Sequence, residues 1–150
     1  KLGLLYPAGK LTLEQVREAV LDVARYDIDG LREALLAGDA ARLARLLDGL
    51  MHEGEPPPLV LWAIGEEIRT LAAIRTGLDR SRPLDQLFRE TRVWGARQNL
   101  VKKALQRLST AALEAALQHA ERIDRMNKGL LPGRVWDEFL RLGLRLAAPR

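Results

Sequence analysis

Few side chains in this sequence are placed for covalent or acid–base chemistry. It contains no cysteine, which removes thiol nucleophiles, disulfide scaffolds, zinc ribbons and iron–sulfur sites. It contains two histidines. His52 precedes Glu53, but no second histidine follows at the spacing of an HExxH metal site. His119 falls within a helical stretch beside Glu121 and Arg122 and reads as a surface residue, not a base. The neighbouring carboxylates Glu66-Glu67 and Asp137-Glu138 would point about 100° apart around a helix, so neither pair is a matched acid and base. No GxxxxGK[ST] loop is present to cradle a nucleoside triphosphate. The sequence therefore predicts no catalytic residue, no cofactor and no metal.

The chemistry that stands out is electrostatic. Residues 1–80 hold 10 Lys/Arg against 13 Asp/Glu, a balance of −3, whereas residues 81–150 hold 14 against 7, a balance of +7. The densest basic stretch carries Arg89, Arg92, Arg97, Lys102, Lys103 and Arg107 against the single acid Glu90, with Trp94 inside it. Cations interleaved with an aromatic suit phosphate contact and base stacking, so these six are candidate contacts to DNA or to an acidic partner. On a helical wheel, however, Lys102 lies away from Lys103 and Arg107, so the charges do not form one stripe. Solvated helix faces account for the same residues. Three Trp and two Tyr at helical spacing read as core rather than as a stacking platform.

The elements that would position these groups are helices. At 150 residues and 16.8 kDa the chain has one domain's length, enough to bury roughly 70% of its extended surface. Hydrophobic residues at 47% and charged residues at 29% exclude wholesale disorder. No apolar run reaches the ~20 residues of a membrane span, and nothing at the start resembles a signal peptide. A cysteine-free chain of this kind fits a reducing cytoplasm.

Period-3.6 patterning runs through the chain, and no stretch alternates as a half-buried strand does. Lys1–Leu5 reads as the tail of something begun earlier, and Tyr6-Pro7-Ala8-Gly9 as a turn. Thr12 with Gln15 forms a capping-box pattern ahead of a helix over Leu13–Arg25. Asp27 or Asp29 caps a short helix through Leu31, Leu35 and Leu36, which Gly38 stops. Asp39 opens the next, on Leu43, Leu46, Leu47, Leu50 and Met51, ending at Gly54. Pro56-Pro57-Pro58 suits the first turn of a long helix to about Gly77. Leu61, Ile64, Ile68 and Leu71 mark its face, which Leu59 and Trp62 widen. Further helices follow Pro83 and Trp94, a third is capped by Ser109 or Thr110, and a last starts near Val135 after a loop over Asn127–Gly133. The fold class is all-α, a bundle of seven to eight helices.

The run LREALLAGDAARLARLLDGLMHEGEPPPLVLWAIGEEIRTLAAIR (Leu31–Arg75) resembles the delta subunit family of the bacterial DNA polymerase III clamp loader. It shows a short helix ending in Gly-Asp, a leucine-rich helix, Gly-Glu-x-Pro, then a long apolar helix ending in basic residues. RVW at Arg92–Trp94, ALQRLS at Ala104–Ser109 and VWDEF around Trp136 look like the same family's later helices. The resemblance implies a C-terminal helical collar domain over residues 28–150, preceded by a remnant of an AAA+-like lid domain over 1–27. It implies assembly with the loader's delta-prime and gamma/tau subunits in a hetero-pentamer that loads the sliding clamp onto primed DNA for chromosomal replication. The clamp itself would be met only through an N-terminal domain that this sequence does not include. In agreement with the missing phosphate loop, the family's delta subunit does not hydrolyse ATP. The implied setting is the bacterial cytoplasm, at the replisome, without membrane.

Some family members carry an aromatic in the loop before the last helix, near the entering primer–template DNA. Here the loop reads NKGLLPG; it offers no ring for stacking, and Lys128 and Arg134 are its candidate phosphate contacts. Two functions of different kinds follow: a non-catalytic assembly domain of the clamp loader, and a stand-alone helical nucleic-acid-binding module using residues 89–107.

Overall fold

The computed structural model describes residues 12–148, the Asp22 side chain apart. Among the described residues there are seven helices and no strand. They are α1 (Leu13–Ala37), α2 (Ala40–His52), α3 (Pro57–Asp79), α4 (Leu84–Thr91), α5 (Ala96–Arg107), α6 (Thr110–Asn127) and α7 (Val135–Ala147). The turn expected at Tyr6–Gly9 lies outside the described residues.

The capping box forms as its sequence dictates. The Gln15 N–H donates to the Thr12 hydroxyl at 3.1 Å, and the Gln15 side-chain oxygen accepts from the Thr12 N–H at 3.0 Å. The helix it starts does not stop at Arg25. The two helices expected over 13–36 are one helix of 25 residues. Neither aspartate breaks it, because no proline removes a backbone donor. The Asp27 carboxylate instead lies near Glu53 just beyond the end of α2, and the Glu53 pKa is raised, first by desolvation and then by the Asp27 charge. Gly30, the residue with least propensity here, lets α2 approach: a Cβ would meet Leu46 at 3.4 Å and Arg42 at 3.2 Å. The two parts of α1 differ in environment. Leu13, Val20, Leu21, Val23 and Tyr26 are exposed, and the central core begins at Ile28, followed by Leu31, Ala34 and Leu35.

Gly38 ends α1 in the left-handed region (φ 75°). The Asp39 N–H reaches back to the Ala34 carbonyl at 2.9 Å, a Schellman closure, while the Asp39 carboxylate caps α2 by accepting from the Arg42 N–H. Helix α3 crosses the middle of the bundle with Val60, Ala63, Ile64, Ile68, Leu71 and Ile74 fully buried. Leu59 and Trp62 do not widen its buried face as expected. They turn to the surface, 39% and 54% exposed, because Val60, Ile64, Ile68 and Leu71 take the inner side of the helix and leave these positions outside that stripe. Two close crossings are set by glycine. A Cβ on Gly77 would collide with Leu87 of α4, and one on Gly143 of α7 would stand 2.5 Å from Leu43 of α2.

Candidate functional site

The basic segment spans the end of α4, a corner and all of α5. Phe88 and Leu87 bury the inner side of α4, and Val93 anchors the corner at 0% exposure. The Val93 N–H donates to the Phe88 carbonyl at 2.9 Å, and Arg92 holds a left-handed φ of 57°. That closure turns Trp94 outward, 58% exposed. Val101, Ala104 and Leu105 then fix the inner face of α5.

This register divides the six cations. Arg97 faces inward and forks onto Glu67 of α3: one N–H donates to Oε2 at 2.6 Å and the other to Oε1. Glu67 is completely buried, and Arg32 of α1 adds a second cation 3.7 Å away. One carboxylate thus ties three helices together. The hydrogen bond to Glu67 outweighs desolvation and raises the Arg97 pKa. Arg107 also turns in. It donates to the carbonyls of Leu35 (2.8 Å), Leu36 (3.0 Å) and Leu146 (3.2 Å), and so closes the C-terminal ends of α1 and α7. Desolvation lowers its pKa. Arg89, Arg92, Lys102 and Lys103 remain exposed. Glu90, the acid among them, is engaged by Arg82.

Lys128 is exposed but bonded to Asp124 at 2.7 Å. Arg134 precedes α7 and lines a cleft of about 500 Å³ with Arg122, Arg141 and the loop residues Leu131, Pro132 and Gly133. The structure brings Lys128 and Arg134 to the two ends of one loop. It does not bring all the candidate cations to one surface.

His119 is not the surface residue its neighbours suggest. It is 3% exposed, and its Nε2 sits 2.8 Å from the Glu138 Oε1 of α7. It falls three residues after Ala116 and four before Ile123, on the inner stripe of α6; that spacing carries the signal. Arg141 holds the other oxygen of Glu138. The Glu138 pKa is lowered, first by the His119 hydrogen bond and then by Arg141. Glu67 was equally legible as a polar residue on the Ile64–Ile68–Leu71 stripe. Its neighbour Glu66 points elsewhere, to Arg69, as the 100° divergence requires. His52 is exposed and bonds the Asp48 carbonyl at 2.8 Å. Among the described residues no three His, Asp or Glu side chains converge as a metal site, and no helix is long and apolar enough to cross a membrane.

The geometry defines an all-α bundle domain whose buried ions lock helices together and whose second half presents a basic, tryptophan-bearing corner. Sequence comparison places it within that class. Residues 30–149 match the family model described as the C-terminal region of the processivity clamp loader gamma complex of DNA polymerase III, and the chain belongs to that family. Over 146 residues it is 35% identical to the DNA polymerase III subunit delta of Escherichia coli strain K12, covering 97% of this chain and 42% of that protein. Over 153 residues it is 29% identical to the subunit delta of Haemophilus influenzae, covering 97% of this chain and 44% of that protein. The chain spans less than half the length of these curated relatives.

Proposed function

We propose that this chain is the helical assembly domain of a clamp-loader delta subunit. It holds the subunit in the complex that loads the sliding clamp onto primed DNA, and has no catalytic residue of its own. In this reading residues 28–150 form the collar domain, residues 1–27 derive from the preceding AAA+-like lid domain, and the neighbours are the delta-prime and gamma/tau subunits of a cytoplasmic replisome. The observation that carries it is the family match over residues 30–149, which coincides with the bundle. The start of the central core at Ile28 supports the boundary.

Native mass spectrometry of this chain mixed with the other clamp-loader subunits of its organism, at near-physiological salt, tests the assignment. Incorporation at one copy per complex is expected. A chain that is folded yet never joins contradicts it.

One observation favours the second reading, a nucleic-acid-binding module. Four cations of the basic segment are exposed, and so is Trp94 within it. As a module in its own right the chain would bind DNA tightly and lose orders of magnitude in affinity between low and physiological salt. The assembly reading expects weak binding, with Lys128 and Arg134 adding phosphate contacts beside DNA held by the whole complex.

A further inference from the structure

Between the N-terminal half of α3 and the C-terminal half of α6 runs a cleft of about 390 Å³. Its apolar surface comes from Pro58, Leu61, Trp62, Leu117 and Ala120. Trp62 is half exposed yet held in place. The Arg32 guanidinium lies 5.5 Å from the centre of its ring, and that same guanidinium is drawn to the fully buried Glu67 carboxylate, 3.7 Å away. The indole is therefore backed by a cation that the core has already fixed. An aromatic ordered before binding loses little freedom when a partner covers it, and tryptophan is among the residues that dominate interfaces.

The charge of the cleft decides which kind of partner fits. Glu121 and Asp124 line it, whereas their own cationic partners, Arg125 at 2.8 Å and Lys128 at 2.7 Å, do not. On the facing wall Arg69, which lies across Gly65, is tied to Glu66 at 3.1 Å. The lining thus carries two carboxylates against one guanidinium, each already ion-paired, a net negative balance that disfavours phosphate and complements lysine or arginine.

We infer that this cleft is the seat of a neighbouring subunit's polypeptide: an apolar side chain packed on Trp62, flanked by a lysine or arginine facing Glu121 and Asp124. The inference rests on the assembly reading and names the face that carries it out.

The test is the affinity of this chain for the remaining clamp-loader subunits, read by native mass spectrometry across a concentration series. Trp62→Glu is expected to weaken incorporation by about tenfold or more, the scale of an interface anchor. Ala120→Phe fills the cleft from the α6 wall without touching the Arg32–Glu67 pair. It is expected to do the same, and it stands in if Trp62→Glu fails to fold by circular dichroism. Glu121→Lys with Asp124→Lys should weaken incorporation too, while Trp94→Glu, in the basic corner and outside the lining of the cleft, leaves it unchanged. Normal incorporation of folded Trp62→Glu and Ala120→Phe chains would overturn the cleft and leave the assembly reading standing. Failure of the unaltered chain to join would overturn both. Self-association of the chain alone that Trp62→Glu abolishes would make a second copy the occupant and overturn the commitment to a neighbouring subunit.

Discussion

Helix α5 carries two sets of cations a few residues apart, and they belong to different parts of the molecule's work. Arg97 and Arg107 point inward, one onto a buried carboxylate and the other onto three backbone carbonyls. Lys102 and Lys103 point to solvent. Register makes the difference. Arg97 precedes Val101 by four residues and Ala104 by seven, so it shares their buried face, whereas the lysines fall between the apolar positions. Residue type sharpens the division: a planar guanidinium satisfies a carboxylate or several carbonyls at once, which an ammonium on a flexible stem does less well. Counting charges along the segment reads it as one basic patch. Counting by face reads it as a clasp for α1, α3 and α7 on one side and a free surface on the other.

The comparison is sharpened most by Arg97→Ala. It leaves Glu67 buried with only the more distant Arg32 for company, and removing one partner of a buried pair costs about 3–5 kcal/mol. Urea unfolding should show a loss of that order. Arg107→Ala is expected to cost less, about 1–3 kcal/mol, the penalty for buried carbonyls left without a donor. Arg107→Lys should recover only part of it. Next comes acid sensitivity. Because the folded-state pKa of Glu138 is held below its ordinary value of 4.5, the carboxylate contributes stability that is fully present above that value. The contribution is lost as pH falls through the lower folded-state pKa. Glu138→Gln should flatten the stability profile in that window. The smallest effect belongs to the outward set. Lys102→Glu with Lys103→Glu is expected to shift stability by no more than about 0.5 kcal/mol and to leave co-assembly intact. A severe assembly defect in that folded double variant would move the interface onto α5.

Most of the helices were readable because their signals are local. The Thr12 capping box, Gly38 at a left-handed terminus, the prolines opening α3 and Ser109 at the head of α6 each act within a turn of the residue that carries them. The single break expected in α1 rests on Asp27 or Asp29 as a local cap. The surroundings of Asp27 are set across space, by Glu53. The charged groups were harder. That Arg97 meets Glu67, thirty residues earlier, depends on how α5 crosses α3, and no pattern within either helix encodes it. Glu67 and His119 stand visibly on apolar stripes, but only the structure shows their partners, Arg97 for the one and Glu138 for the Nε2 of the other. Whether Trp62 lies inside or outside is likewise a matter of which stripe of α3 the bundle takes as its inner side.

The division within α5 is tested most directly by equilibrium urea unfolding of two double variants side by side, Arg97→Ala/Arg107→Ala and Lys102→Ala/Lys103→Ala. The inward pair should lose several kcal/mol, on the order of the buried-pair and buried-carbonyl costs together, or fail to fold. The outward pair should stay within about 0.5 kcal/mol of the unaltered chain. Equal losses in the two variants, or an inward pair removed without cost, would contradict the account.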